Sequence, residues 1–122
     1  MTIEVSFGEV LDKISILAIK LNHIKDEQKL KNIQKEFSSI SSKVSQDAFS
    51  DPLYFELCNV NQTLWKVEDK LREHELLNNF NEDFINLARS VYVLNDRRAA
   101  LKKEINIKNG SEFIEEKSYN NN

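Results

Sequence analysis

Apolar residues recur at alternating spacings of three and four along four segments of this 122-residue chain. Such spacing places the apolar side chains on one side of an α-helix, where they can pack against neighbouring helices. Two glycines and one proline supply too little turn chemistry for a β-sandwich or a β-barrel. We therefore predict an all-α protein, an antiparallel four-helix bundle made of two helical hairpins, of which the second is longer.

Residues that favour helix ends divide the four segments. The predicted helices begin at or near Ser6, Asp26, Asp51 and Asn81. The second is expected to end near Gln46, and the fourth at Asn109-Gly110, where a glycine can adopt the left-handed conformation that terminates a helix. The sequence thus predicts one helical domain over residues 1–110 and a partly disordered C-terminal tail over residues 111–122.

The lengths of the helices predict how the protein assembles. The third and fourth helices would each be roughly 40 Å long, against about 30 Å for the first two. The additional length of the second hairpin needs a partner, and a second copy of the chain is the simplest one. We therefore expect a homodimer formed through the third and fourth helices, with the C-terminal tail as a second surface for a protein partner.

Composition excludes several functional classes. The net charge of −3 disfavours a broad phosphate-binding surface, so no nucleic-acid partner is expected. No apolar run approaches the length of a spanning helix and no secretory signal is recognisable, which predicts a cytoplasmic protein without a membrane partner. The lone cysteine, Cys58, excludes an intramolecular disulfide framework.

Polar residues on the third and fourth helices are the main candidates for a ligand site. All four arginines lie between positions 72 and 98, and antiparallel pairing would bring the middles of these two helices together. The candidate ligand-binding residues are Trp65, Glu68, Arg72, Arg89, Tyr92, Asn95, Asp96 and Arg97. They could bind a small anionic or phosphorylated molecule, or they could form an ion-pair network between the helices.

A weaker metal candidate lies at the start of the first helix. Glu9 and Asp12 are three residues apart and share one helical face, a spacing with which helical bundles hold Mg²⁺. The structural alternative is that Glu9 belongs to a capping box and Asp12 interacts with the helix dipole. No cofactor is expected under the structural alternative, and Mg²⁺ only under the metal-binding one.

Several stretches resemble a family of small bacterial and phage proteins that is catalogued as a domain of unknown function. They are VSFGEVLDKISILAIK, NQTLWKVEDKLRE, ARSVYVLNDRRAALKKEIN and GSEFIEEKSY, which contain the patterns WxxED, ARSVYxxND and EEKSY in that order. The resemblance implies no reaction.

A looser similarity is to all-α nucleotide pyrophosphohydrolases, which hold Mg²⁺ between an ExxE pair and an ExxD pair. Only Glu9-x-x-Asp12 approximates one half of that set, and Glu68-Asp69 is followed by Arg72 rather than by a further acidic residue. Two hypotheses therefore stand. The first is a non-enzymatic helical module that acts by oligomerisation or interaction. The second is a binding protein or hydrolase for a small anionic ligand.

Overall fold

The computed structural model describes residues 2–110, and all regular secondary structure within that range is helical. The helices are α1 (Phe7–His23), α2 (Glu27–Ser41), α3 (Gln46–Phe49), α4 (Pro52–Leu76) and α5 (Glu82–Lys108). The all-α prediction and the bundle of two hairpins, with α4 and α5 the longer, are confirmed. None of the described helices is both long and apolar enough to cross a membrane.

Side chains cap the long helices at the positions that the sequence indicates. Ser6 Oγ accepts a hydrogen bond from the amide of Glu9 at 3.3 Å, and Asp51 Oδ1 accepts one from the amide of Leu53 at 2.9 Å. Asp26 and Asn81 cap α2 and α5 in the same way. At the far end of α5, Gly110 has a φ of 63°, which a residue with a side chain adopts only with strain.

The second helix ends earlier than predicted. It stops at Ser41 instead of near Gln46, and the separate short helix α3 begins at Gln46. Serine side chains explain the early end, because they hydrogen-bond the backbone and compete with helical pairing. Ser42 Oγ, for example, donates to the carbonyl oxygen of Ser39 at 3.0 Å.

Helix α1 lies at the centre of the fold, because it packs against α2, α4 and α5. The core side chains come from α1, α4, α5 and the segment after α2, and they are Leu11, Ile14, Val44, Leu57, Leu101 and Ile105. Helix α2 packs only against α1 among the helices and contributes no fully buried residue. The bundle therefore consists of three tightly packed helices with α2 on the outside.

The α4–α5 hairpin extends past the end of α1. His23, the last residue of α1, stacks on Trp65 with ring centroids 5.1 Å apart. Helix α4 continues from Trp65 to Leu76, which at 1.5 Å per residue is roughly 16 Å. Beyond α1, the two helices are thus in contact with each other but are covered by no third helix among the described residues.

Candidate functional site

An ion pair joins α1 to α5 in the interior of the bundle. Arg98 donates from Nε to Asp12 Oδ1 at 2.9 Å and from Nη2 to Asp12 Oδ2 at 2.5 Å. Asp12 is only 3% exposed, while Arg98 is partly exposed. A guanidinium group holds a carboxylate in this bidentate way because both groups are planar and their hydrogen-bonding atoms align.

Two further polar residues complete this cluster, which we call the Asp12 cluster (Asp12, Ser15, Asn61 and Arg98). Asn61 Nδ2 of α4 donates to Asp12 Oδ1 at 2.9 Å and to Ser15 Oγ at 2.7 Å. Ser15 Oγ donates to the backbone carbonyl oxygen of Asp12 at 2.7 Å. The Asp12 carboxylate thus accepts hydrogen bonds from both α4 and α5, and it fixes the register of all three helices.

A second contact holds the N-terminus of α1 close to the end of α5. Lys102 Nζ donates to Glu9 Oε1 at 2.6 Å, and the amide of Gly8 donates to Asn106 Oδ1 at 2.6 Å. A Cβ atom on Gly8 would lie 2.6 Å from the backbone oxygen of Lys102, so only glycine fits there without a shift of the backbone. This close approach explains why a glycine occupies the first turn of α1.

The structure gives both metal candidates a cationic neighbour. Glu9 contacts Lys102, and Asp12 contacts Arg98, with both oxygens of Asp12 accepting hydrogen bonds. Within residues 2–110, no group of three His, Cys, Asp or Glu side chains is arranged to hold a metal ion. Binding of Mg²⁺ at Glu9 and Asp12 stays a prediction.

The ligand candidates on α4 lie along one side of that helix. Trp65 is partly buried against His23. Arg72 lies 2.9 Å from Asp69 and 3.9 Å from Glu68, and all three side chains are at least half exposed. These ion pairs lie within one helix and therefore do not join α4 to α5.

The candidates on α5 occupy different surroundings. Arg97 pairs across the hairpin with Glu56 of α4, while Arg89 and Tyr92 lie on the exposed side of α5. Asp96 Oδ1 is shielded from solvent and has no hydrogen-bond partner within residues 2–110. Asn95 is partly buried.

The structure does not gather these candidates around the groove between α4 and α5. That groove has a volume of about 440 Å³. Its lining contains none of the eight ligand candidates and consists of Lys70, His74, Asp83, Asn86, Leu87 and Ser90. Among the eight candidates, only Arg97 forms an ion pair across the hairpin within residues 2–110, and its partner is Glu56. The predicted ligand site stays a prediction.

A different feature dominates the far part of the hairpin. Large apolar side chains are exposed at its end, with Leu76 at 83% and Leu77 at 76%, and with Phe80 and Ile85 beside them. Phe80 packs edge to face on Phe84 of α5, and their ring centroids are 5.1 Å apart. Because Phe84 belongs to the apolar seam of the hairpin, this pair connects the exposed end to that seam. We call Leu76, Leu77, Phe80 and Ile85 the hairpin end.

Charged side chains lie on both sides of the uncovered region. The hairpin end is flanked by exposed acidic residues, which are Glu73, Glu75, Glu82 and Asp83. The last turn of α1 is basic, with Lys20 and His23, and exposed Lys25 follows in the turn to α2. The tip therefore carries negative charge, whereas basic Lys20 and Lys25 lie next to the exposed acids Asp26 and Glu27 where α1 stops.

The pKa values of Asp51, which caps α4, and of Tyr54 and Cys58 within α4 are shifted, and burial raises that of Tyr54. The hydrogen bond from Lys108 lowers the pKa of Asp51, and the amide of Leu53 lowers it further. Burial raises the pKa of the Cys58 thiol, against a weaker opposing effect of its hydrogen bond with Tyr54. A thiol with a raised pKa is protonated at neutral pH, so Cys58 is a poor nucleophile.

Fold and contacts together define this protein as an all-α bundle built around a buried polar cluster, with an uncovered hairpin end. A family model covers residues 1–122, and the chain belongs to that family, which is DUF6165, a family of unknown function. Comparison with curated proteins and with solved structures finds no match. The family membership predicted from the sequence motifs is confirmed.

Sequence reasoning missed most of the Asp12 cluster. Ser15 and Asn61 were not predicted to contact Asp12, although Asn61 lies beside the apolar seam of α4. Arg98 gave the clearest signal, because it occupies a position of the α5 seam where an apolar residue is expected. A charged residue in such a position needs a buried partner of opposite charge, and Asp12 on the apolar first helix is that partner.

Proposed function

We propose that this protein is a non-enzymatic helical module that acts by association, and that it forms a homodimer through the far parts of α4 and α5. The observation that carries the proposal is the hairpin end, where four large apolar side chains within ten positions of the chain, around the turn from α4 to α5, are exposed. Contiguous exposed apolar side chains of this kind mark association surfaces, whereas isolated ones are ordinary.

A second copy is the occupant that fits the charges. When two hairpins lie antiparallel, the acidic tip of each copy lies over the place where α1 of the other copy ends. Glu75 and Glu82 of one copy then approach Lys20 and Lys25 of the other. Two helices from each copy would complete a four-helix arrangement in the region that the single chain leaves with two.

The size of the surface sets the expected affinity. An area roughly 16 Å long and about two helix diameters wide is smaller than a standard stable interface. We therefore expect a dimer that dissociates in the micromolar range. An obligate dimer would need more buried apolar surface than the hairpin end offers.

The test is the molar mass of the full chain by light scattering over a concentration series. The mass should rise from 14.3 kDa towards twice that value as the concentration reaches about 100 μM. Leu76→Glu should keep the protein monomeric throughout, because it places a charge in the interface. The proposal is overturned if the wild-type protein stays monomeric.

Phe55→Glu is the matched control. Phe55 is 66% exposed on the same helix but near its opposite end, so the substitution has the same chemistry outside the proposed interface. The control should dimerise like the wild type. Equal loss of dimer in both variants would point to a general effect of added charge and against the hairpin end.

The alternative function, a binding protein or hydrolase for a small phosphorylated molecule, stays a prediction. An anion bound by Arg72 or Arg97 would have to compete with Asp69 or Glu56, which already pair with them. Thermal shift with nucleotides, sugar phosphates and Mg²⁺ would reveal such a ligand by raising the melting temperature. Arg89→Ala would then abolish the shift.

A further inference from the structure

A groove of about 530 Å³ opens at the end of the bundle opposite to the hairpin end. Three parts of the chain form it, which are the extended residues before α1, the first turns of α1, and the segment where α2 ends. Its apolar walls are Ile3, Val5, Phe7, Val10, Ile40 and Val44. Ile3 is 74% exposed, and Val5 is exposed as well, so this apolar surface has no complete cover within the described chain.

The C-terminal segment begins next to this groove. The hydrogen bond between the Gly8 amide and Asn106 places the last turn of α5 against the first turn of α1. Gly110, where the described chain ends, follows one turn later. The twelve residues from 111 to 122 can span up to roughly 40 Å when extended, so the whole groove lies within their reach.

The composition of that segment matches the groove. Phe113 and Ile114 are adjacent apolar residues, and they are flanked by Glu112, Glu115 and Glu116. The groove has apolar walls, and its rim carries Lys13 and Lys43 together with Glu9, whose charge is already paired with Lys102. Lys13 already lies 3.1 Å from Glu36, which leaves Lys43 as the rim residue better placed to meet an acidic side chain.

We propose that residues 111–122 dock into this groove of their own chain, with Phe113 and Ile114 between the apolar walls and the acidic residues towards Lys43. Docking would cover Val5, which is exposed, and Val10, which packs against the core. It uses the end of the bundle opposite to the hairpin end, so it stands independently of the proposed dimer.

Paramagnetic broadening in the full chain tests the proposal. A nitroxide is attached at Ser118→Cys in a Cys58→Ser background, and methyl resonances are compared before and after reduction of the label. Val5, Val10, Ile40 and Val44 should lose most of their intensity, whereas Ile85 and Val93, distant from the groove, should keep theirs. Absence of selective broadening in the groove overturns the proposal.

One additional sample separates docking within one chain from docking between chains. The sample mixes two kinds of chain: one carries the nitroxide but no isotope label, and the other carries the isotope label but no nitroxide. If the segment docks within its own chain, the methyl resonances of the groove should not broaden in this mixture. Broadening in that mixture would assign the groove to the segment of a second copy and overturn the proposal.

A double variant tests the anchoring side chains. Phe113→Ser with Ile114→Ser should abolish the selective broadening, because it removes the apolar anchor without touching the helical domain. Asn121→Ser is the matched control in the same segment and should leave the broadening unchanged. Broadening that persists in the double variant would contradict the docking geometry.

Discussion

Asp12 is the residue on which the packing of three helices depends most. Its carboxylate is buried, and burial of an unpaired charge is costly, so the hydrogen bonds from Arg98 and Asn61 are needed to offset the loss of water. A hydrophobic replacement of the whole cluster could be equally stable, but removal of one partner alone leaves the others with fewer contacts. The cluster therefore specifies the register of α1 on α4 and α5.

Replacement of Asp12 alone should destabilise the protein strongly. We expect Asp12→Ala to lower the free energy of unfolding by about 3 kcal/mol, measured by urea denaturation, because Arg98 and Asn61 lose their shared acceptor. Asp69→Ala is the control, since it removes an exposed carboxylate that pairs with Arg72 within α4 and should cost less than about 1 kcal/mol. Similar costs for both variants would refute the role assigned to Asp12.

Individual residues show why the site was harder to predict than the helices. Ser6 and Asp51 act on amides within their own helix, so local sequence is sufficient to predict them. Asp12 and Arg98 are 86 positions apart, and their contact depends on how α1 docks on α5. Periodicity identifies Arg98 as out of place in an apolar seam, but it does not say which acid pairs with it.

The ends of α4 and α5 are joined by an ion pair that should respond to pH. Lys108 Nζ lies 2.7 Å from Asp51 Oδ2, so the cap of α4 contacts the last turn of α5. The pKa of Asp51 is lower in the folded chain than in the unfolded chain, mainly because of this hydrogen bond. The unfolded chain then binds the proton more readily, and folding stability falls as the pH falls.

Asp51→Asn should reveal this contribution. At pH 7 the variant should be less stable than the wild type by less than about 1 kcal/mol, because Lys108 is largely exposed and asparagine still caps the helix. The difference should begin to shrink as the pH falls below the ordinary pKa of an aspartate, and it should vanish only below the lowered pKa that Asp51 has in the folded chain. Urea denaturation at pH 7 and pH 3 measures this difference in the free energy of unfolding. Lys108→Gln is the control, and it should lose the same stability at pH 7 because it breaks the same ion pair.

A difference that grows at low pH would contradict the assigned contact. The same would follow if Lys108→Gln in the Asp51→Asn background added its full effect, since residues in one ion pair should not be additive.

At the scale of elements, the long helices were predictable and the short one was not. The apolar spacing and caps of α1, α4 and α5 are local signals, and all three helices begin where those signals indicate. Helix α3 has four residues, too few for a periodic pattern, so the serine-rich stretch before it looked like a fraying continuation of α2.

The whole molecule is a bundle whose two ends differ. At one end, α1, the extended residues before it and the end of α2 form the groove, and the C-terminal segment begins beside it. At the other end, α4 and α5 extend past α1 and expose the hairpin end. This difference follows from helix lengths that the sequence already predicts. Only the structure shows that the exposed end is apolar at its tip and flanked by exposed acidic side chains.

The central claim is that a second copy covers the hairpin end. The most direct measurement is an isotope-filtered NOE experiment on a mixture of methyl-labelled and unlabelled full-length chains, at a concentration where the dimer is formed. We predict intermolecular NOEs to the methyl groups of Leu76, Leu77 and Ile85. Intermolecular NOEs confined to other surfaces, or none at all, would contradict the claim.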